Sequence, residues 1–340
     1  MMSPQLWTAE SVLELARSYQ APAILAAAAE LDLFSALGSG TLTSSELAQR
    51  LDCDLRGLTA LLDALVALGM ANKSGGAYSL PPAVHALLDA GSDQSVLAMA
   101  QHQANCLRNW AQLASVVKHG RPAECMASVR GQAADQQAFI EAMHRVSAPN
   151  AESVVQAVQS LPFQHVLDLG GASGTWTIAL LRSHPSAQAT LFDLPHVIPL
   201  AERRLLAANL GARVRLVPGN FMTDSLPSGP DFAWVSAIVH QNSRAQNQVL
   251  FTKVFGALQP GGRIAIRDIL MDQTRTQPVA GALFAINMLV ATEGGGTFTF
   301  GDLREDLGKA GFVRATVLLL DEGMNSVVVA EKPARESEIL

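Results

Sequence analysis

The chain has 340 residues, of which 49% are apolar and only 16% charged, so it can bury a large core. Because single cores stop growing near roughly 250–300 residues, this length predicts two domains. The formal charge of −6 argues against nucleic acid or an anionic membrane as the main partner. Cys53, Cys106 and Cys125 show neither close pairing nor metal-ligand spacing, and the histidines form no H-E-x-x-H pattern, so no disulfide frame and no metal are expected. The N-terminus lacks a basic region followed by an apolar core, and the longest apolar stretch, Ala21 to Ala29, stops at Glu30. A cytoplasmic protein without a membrane span is expected.

In chain order, the first ninety residues read as helices plus one small hairpin. Thr43-Ser44-Ser45-Glu46 is a capping-box pattern opening a short helix that turns Leu47 and Leu51 inward. Leu55, Leu58, Leu61, Leu62, Leu65 and Leu68 recur at helical spacing until Gly69. Met70 to Lys73 and Ala77 to Leu80 flank Gly75-Gly76, a hairpin signal. Helices followed by a hairpin give the winged-helix order. From about Gln94 to Val158 the pattern is helical, with interruptions predicted at Gly120-Arg121-Pro122 and at Pro149.

From His165 the pattern alternates. Strands are predicted at Val166–Leu169, Ala189–Phe192, Val214–Val217, Phe232–Val239 and Arg263–Arg267, with helices at about Trp176–Ser183, Ile198–Asn209 and Ala245–Leu258. Such alternation implies a doubly wound α/β domain, a mostly parallel sheet with helices on both faces. Ala315–Leu320 and Ser326–Ala330 are too close in sequence for a parallel crossover, so they must pair antiparallel. The division expected is 1–95 for the winged-helix unit, 96–160 for a helical connector, 161–333 for the α/β domain and 334–340 for a tail.

The most informative segment runs from His165 to Gly174, where an apolar strand ends in Asp168 and breaks into Gly170-Gly171-Ala172-Ser173-Gly174 ahead of a helix. Strand, glycine turn and helix together expose backbone N–H groups to a ligand. Asp193, at the tip of the next strand, is placed to accept the two hydroxyls of a ribose. The turn does not fit G-x-G-x-x-G, and the antiparallel end hairpin replaces a second parallel half. Both details favour S-adenosylmethionine over a nicotinamide cofactor.

Val166-Leu167-Asp168-Leu169-Gly170-Gly171, Phe192-Asp193-Leu194-Pro195 and Pro218-Gly219-Asn220-Phe221 resemble successive cofactor motifs of one family. It is the S-adenosylmethionine-dependent O-methyltransferase family of the caffeate and acetylserotonin type, class I methyltransferases with an N-terminal winged-helix dimerisation domain. Ile238-Val239-His240, Leu258-Gln259-Pro260-Gly261-Gly262-Arg263 and Ala310-Gly311-Phe312 continue the likeness in the same order, over nearly the whole chain. The resemblance implies that Gly170 and Gly171 meet the methionine part of the cofactor, Asp193 the ribose, and Leu194 and Phe221 the adenine. Asn220 stands where the family has an aspartate, and its side-chain oxygen can still accept a hydrogen bond. Ser236 stands where plant members have a lysine near the cofactor, and Phe139, Met143 and Ser147 match helical positions lining cofactor and substrate.

Methyl transfer from a sulfonium needs an in-line approach and an acceptor oxygen freed of its proton. His240, at the carboxyl end of a central strand, is the candidate base, and Asp268, ending the next strand, is the candidate carboxylate behind it. The chain departs from the family's His-Asp-Trp with His240-Gln241-Asn242. The second flanking acid falls on Thr297, with Glu293 as a possible substitute, and Gly294-Gly295-Gly296 reads as a flexible connection or a lid.

The leading expectation is a homodimeric O-methyltransferase acting on a hydroxyl of a small phenolic or polyketide-like metabolite. Alternatives are C-methylation or a non-methylating reaction on the same cofactor fold. A DNA-binding winged helix is a third, opposed by four bases against nine acids in residues 1–90.

Overall fold

A computed structural model describes residues 7–334, so the expected tail lies almost entirely outside the described residues. The chain divides into two compact units, one formed by 1–111 with 125–145, the other by 112–124 with 146–340.

The first unit opens with α1 (Ala9–Arg17), α2 (Gln20–Glu30) and α3 (Leu33–Leu37), followed by β1 (Leu42–Thr43), α4 (Ser44–Leu51) and α5 (Leu55–Ala67). The Thr43 box closes as predicted: its hydroxyl accepts the Glu46 N–H, and the Glu46 carboxylate accepts the Thr43 N–H. The hairpin forms from β2 (Asn72–Ser74) and β3 (Ala77–Ser79), and β1, a strand not predicted, pairs with β3 on its other side. After α6 (Pro82–Leu88) and α7 (Leu97–Trp110), the core of this unit is Ala28, Leu33, Phe34, Leu47, Leu62, Leu65 and Tyr78.

Two helices, α8 (Leu113–His119) and α9 (Gln132–Val158), complete the helical stretch. The interruption at Gly120 is present. Pro149, however, lies inside α9 and does not end it, a correction to the expected break. The missing N–H and the crowding of the proline ring cost about 3 kcal/mol, less than the burial of Ala151, Val154, Val155 and Val158 contributes in the turns that follow.

The second unit holds a seven-stranded sheet and a separate two-stranded parallel one. Its strands and helices run β4 (His165–Leu169), α10 (Thr175–Ser183), β5 (Gln188–Asp193), α11 (Ile198–Ala207), β6 (Val214–Pro218) and β7 (Phe232–Ser236). They continue through α12 (Arg244–Ala257), β8 (Arg263–Asp268), β9 (Leu270–Met271), α13 (Val279–Ala291) and β10 (Phe298–Thr299). The chain closes with α14 (Phe300–Lys309), β11 (Val313–Leu319) and β12 (Ser326–Glu331). The order across the sheet is β11-β12-β8-β7-β4-β5-β6, with all pairings parallel except those of β12, which is antiparallel to both neighbours. The chain lays β5 and β6 on one side of β4, then crosses to lay β7 and β8 on the other. This reversal opens a crevice at the carboxyl ends of β4 and β7. Side chains alternate between two cores, Val166, Leu191 and Trp234 on one face, Leu167, Val235 and Ile266 on the other. Among the described residues no helix is long and apolar enough to cross a membrane.

Candidate active site

β4 delivers Asp168 and then turns at Gly170, whose φ of +67° and 2.5 Å clearance between a notional Cβ and Ile238 Cδ1 require glycine. The turn docks on the neighbouring strand tip: Asp193 Oδ2 accepts the Ala172 N–H at 2.7 Å, and Oδ1 accepts the Leu194 N–H at 2.6 Å. Burial raises the Asp193 carboxyl, and these two N–H groups oppose the shift. Each oxygen keeps a free lone pair, so a diol can still be received.

Asp168 was not among the residues expected at the site, although an acid inside an apolar strand just before a glycine turn is itself a signal. Its side chain is buried, Oδ2 accepts from Thr177 Oγ1 at 2.5 Å, and Oδ1 has no partner. Its register neighbour on β7, Trp234, also has a buried Nε1 without an acceptor. Desolvation pushes the Asp168 carboxyl up to about 7. An orphaned acidic oxygen beside the glycine turn fits the cationic amino-acid end of a methyl donor.

The strand expected to run to Val239 ends at Ser236. Ala237 makes the last rung, donating its N–H to Arg267 O, and its φ of +56° then turns the chain out of the ladder into a single 3-10 turn, Val239–Gln241. His240 therefore sits on a turn beyond the strand, not directly at its end. There its Nδ1 lies 2.9 Å from both oxygens of Asp268, and its backbone N–H points at Oδ2 at 3.4 Å. Both side chains are buried. Asp268 also accepts the Ile269 N–H at 2.8 Å, which fixes its own rotamer. A carboxylate facing Nδ1 makes that nitrogen the donor, leaving Nε2 with its lone pair.

The glycine run is not a loose connection. The Gly296 N–H donates to His240 O at 2.9 Å, and a Cβ on Gly295 would lie 2.5 Å from both His240 O and Thr292 Oγ1. The loop is packed onto the backbone of the histidine turn. Thr297 is buried and Glu293 exposed, and the carboxylate that meets the imidazole is that of Asp268.

The remaining expected residues have separate surroundings. Asn220 spends its Oδ1 on the Met222 N–H at 2.9 Å, an Asx turn that keeps one lone pair available. Phe221 packs against the sheet core within reach of Gly170, and Leu194 is exposed at the tip of β5. Ser236 Oγ accepts from Arg267 Nη1 at 3.1 Å, and that guanidinium lies 4.4 Å over Trp176, an arrangement the sequence did not announce. Ser147 belongs to the same unit as this site. Phe139 and Met143 belong to the other, where the Phe139 ring meets that of His102 at 5.0 Å. Among the described residues no His, Cys, Asp and Glu group could hold a metal ion.

Known proteins match this architecture along its length. The family model for an O-methyltransferase domain matches residues 110–313, and that for an O-methyltransferase dimerisation domain matches residues 13–90. The chain is 31% identical to 3-hydroxy-5-methyl-1-naphthoate 3-O-methyltransferase of Streptomyces sahachiroi, over 91% of each chain. It is 31% identical to the tetracenomycin polyketide synthesis 8-O-methyl transferase of Streptomyces glaucescens, over 95% of this chain and 96% of that one. It shares its fold with human N-acetylserotonin methyltransferase in complex with SAM, at a TM-score of 0.79 and 24% identity over 98% of this chain and 100% of that one. With both domain models matched in order and full-length relatives at this identity, the chain belongs to the S-adenosylmethionine-dependent O-methyltransferase family.

Proposed function

We propose that this enzyme methylates a hydroxyl of a small phenolic or polyketide-like metabolite, with His240 as general base. The observation that carries the reading is the buried His240–Asp268 pair, on the turn that follows Ile238 where it packs against Gly170, with Nδ1 engaged and the Nε2 lone pair left to take a proton. When bound, S-adenosylmethionine supplies a methyl group already activated on a sulfonium, so the chain's own work is orientation and proton removal. Asp193 would hold the ribose hydroxyls, Asp168 the cationic amino-acid end, and Gly170 and Gly171 the methionine backbone, with Ser147 and Ser236 nearby. Leu194, Asn220 and Phe221 would flank the adenine. His240 Nε2 takes the acceptor's hydroxyl proton as oxygen becomes nucleophilic, and Asp268 stabilises the imidazolium that results.

We assign residues 1–95 to self-association, 96–160 to a helical connector and 161–333 to donor binding. The helix α1 has no buried residue, yet shows Val12, Leu13 and Leu15 to solvent, an apolar face that suits a second copy of this chain better than DNA. The cysteine usage fits a cytoplasmic setting.

Calorimetry with S-adenosylhomocysteine tests the donor site. Asp193→Ala should weaken binding by about 10–100-fold, the value of charge-assisted hydrogen bonds. Absence of binding to the unaltered chain, or equal binding by the variant, would overturn the reading. Product analysis over a panel of phenols with labelled donor tests the acceptor class.

A further inference from the structure

The carboxylate of Asp268 grips only one atom of the His240 ring, its Nδ1, and a ring held at one atom can still tilt about that contact. A second contact opposes the tilt. The ring of Phe284, on α13, meets the imidazole with centroids 4.9 Å apart and planes at 85°. Edge-to-face pairs of this kind hold a definite mutual angle.

The position of α13 is itself set by the segment that carries Asp268. Directly after that carboxylate, Ile269, Leu270 and Met271 are buried, and α13 lies against them at Gly281. A Cβ on Gly281 would stand 2.4 Å from Met271 Sδ and 3.1 Å from Ile269 Cδ1, so the helix is seated at backbone distance. Phe284 follows one turn later on the same helix. At its far end α13 is tied again, by the Ala123 N–H donating to Val290 O at 2.9 Å. One short stretch, 268–271, thus fixes both the atom that holds Nδ1 and the helix that supplies the ring against the imidazole.

We propose that Phe284 is a positioning residue for the base, setting the tilt of the His240 ring and therefore the direction of Nε2. The inference rests on the base reading given above. It distinguishes Phe284 from a residue that merely fills space: shape and ring character are required here, not apolar volume alone. A misplacement of about 1 Å at a reacting group can cost about 100-fold in rate.

The test uses the full chain with Phe284→Ala, Phe284→Leu and Phe284→Tyr, alongside His240→Ala, on one accepted phenol. Phe284→Ala and Phe284→Leu should each lower kcat by about 10–100-fold, with acceptor KM changing far less and S-adenosylhomocysteine affinity within about twofold. Phe284→Tyr, which keeps the ring, should return kcat to within about threefold. The inference is overturned if Phe284→Leu turns over like the unaltered enzyme, if the loss falls in acceptor KM, or if activity falls only in step with the folded fraction. His240→Ala separates the two levels. If it is inactive while the Phe284 variants are unaffected, the positioning role alone is lost; if it stays active, the base reading falls as well.

Discussion

Replacing Asp268 by asparagine keeps the shape of the site and removes the charge behind the base. In the native arrangement both carboxylate oxygens stand 2.9 Å from Nδ1, and the two side chains are only 8% and 3% exposed. When Nε2 takes a proton the imidazole becomes cationic, and a carboxylate at about 4 Å between charge centres stabilises it by about 4 kcal/mol at an effective dielectric near 20. At about 1.4 kcal/mol per tenfold, loss of that term predicts a fall in kcat of up to about a thousandfold. The amide can also present its NH2 to Nδ1, which would draw the lone pair to the wrong nitrogen and leave Nε2 protonated. Single-turnover transfer from labelled donor measures the step directly, with calorimetry on S-adenosylhomocysteine as the control. Donor affinity should be unchanged because the hydrogen bonds of the Asp268 side chain go to His240 and Ile269. A kcat within about threefold of the unaltered enzyme would refute the dyad.

Other outcomes follow from the same geometry. Asp168 is held up to about 7, above the usual carboxylate range, because it is desolvated. The native state therefore keeps this proton where the unfolded chain has released it, so stability falls as pH rises from about 4 to 7 and the penalty, up to about 4 kcal/mol, is full above that window. Asp168→Asn should be stabilising at pH 8 and nearly neutral at pH 4 in denaturant melts, while S-adenosylhomocysteine binding weakens below about pH 7 only in the unaltered chain; identical pH profiles would refute both. Gly295→Ala would press a methyl group to within 2.5 Å of His240 O, so a stability loss of about 1–3 kcal/mol and a drop in kcat are expected by melting and turnover. Val12→Glu with Leu15→Glu, both on the exposed face of α1, should give a monomer in light scattering with donor affinity intact.

Long patterned segments are legible in the amino-acid order alone. The five parallel strands fall within a residue or so of their apolar runs, except that Phe232–Ser236 is three residues shorter than its run. The run Ala237-Ile238-Val239 looks like more strand because it is apolar and largely buried, but Ala237 at φ +56° turns the chain out of the ladder. Burial and strand geometry leave the same apolar signature, so the pattern alone does not separate them. For the same reason α13, apolar nearly throughout, offers no clear period, and Phe284 does not stand out from its neighbours. The two-residue strands β9 and β10 are too short to carry any period, and they exist only because a distant partner is present.

Local chemistry, then, is decided along the chain: where a glycine turn follows a strand, where a carboxylate ends one, where Thr43 and Glu46 close a helix end. These depend on neighbours within a few residues, and the order of the motifs is enough to indicate a methyl donor. What the tertiary structure decides is which groups meet across long separations. The imidazole of His240 acquires a charge behind it from a strand 28 positions on, a ring beside it from α13, and a glycine loop against its carbonyl. Burial leaves Asp168 without a second partner, and Ser236 gains an arginine. Such contacts arise from sheet order and helix seating, which no short-range pattern encodes.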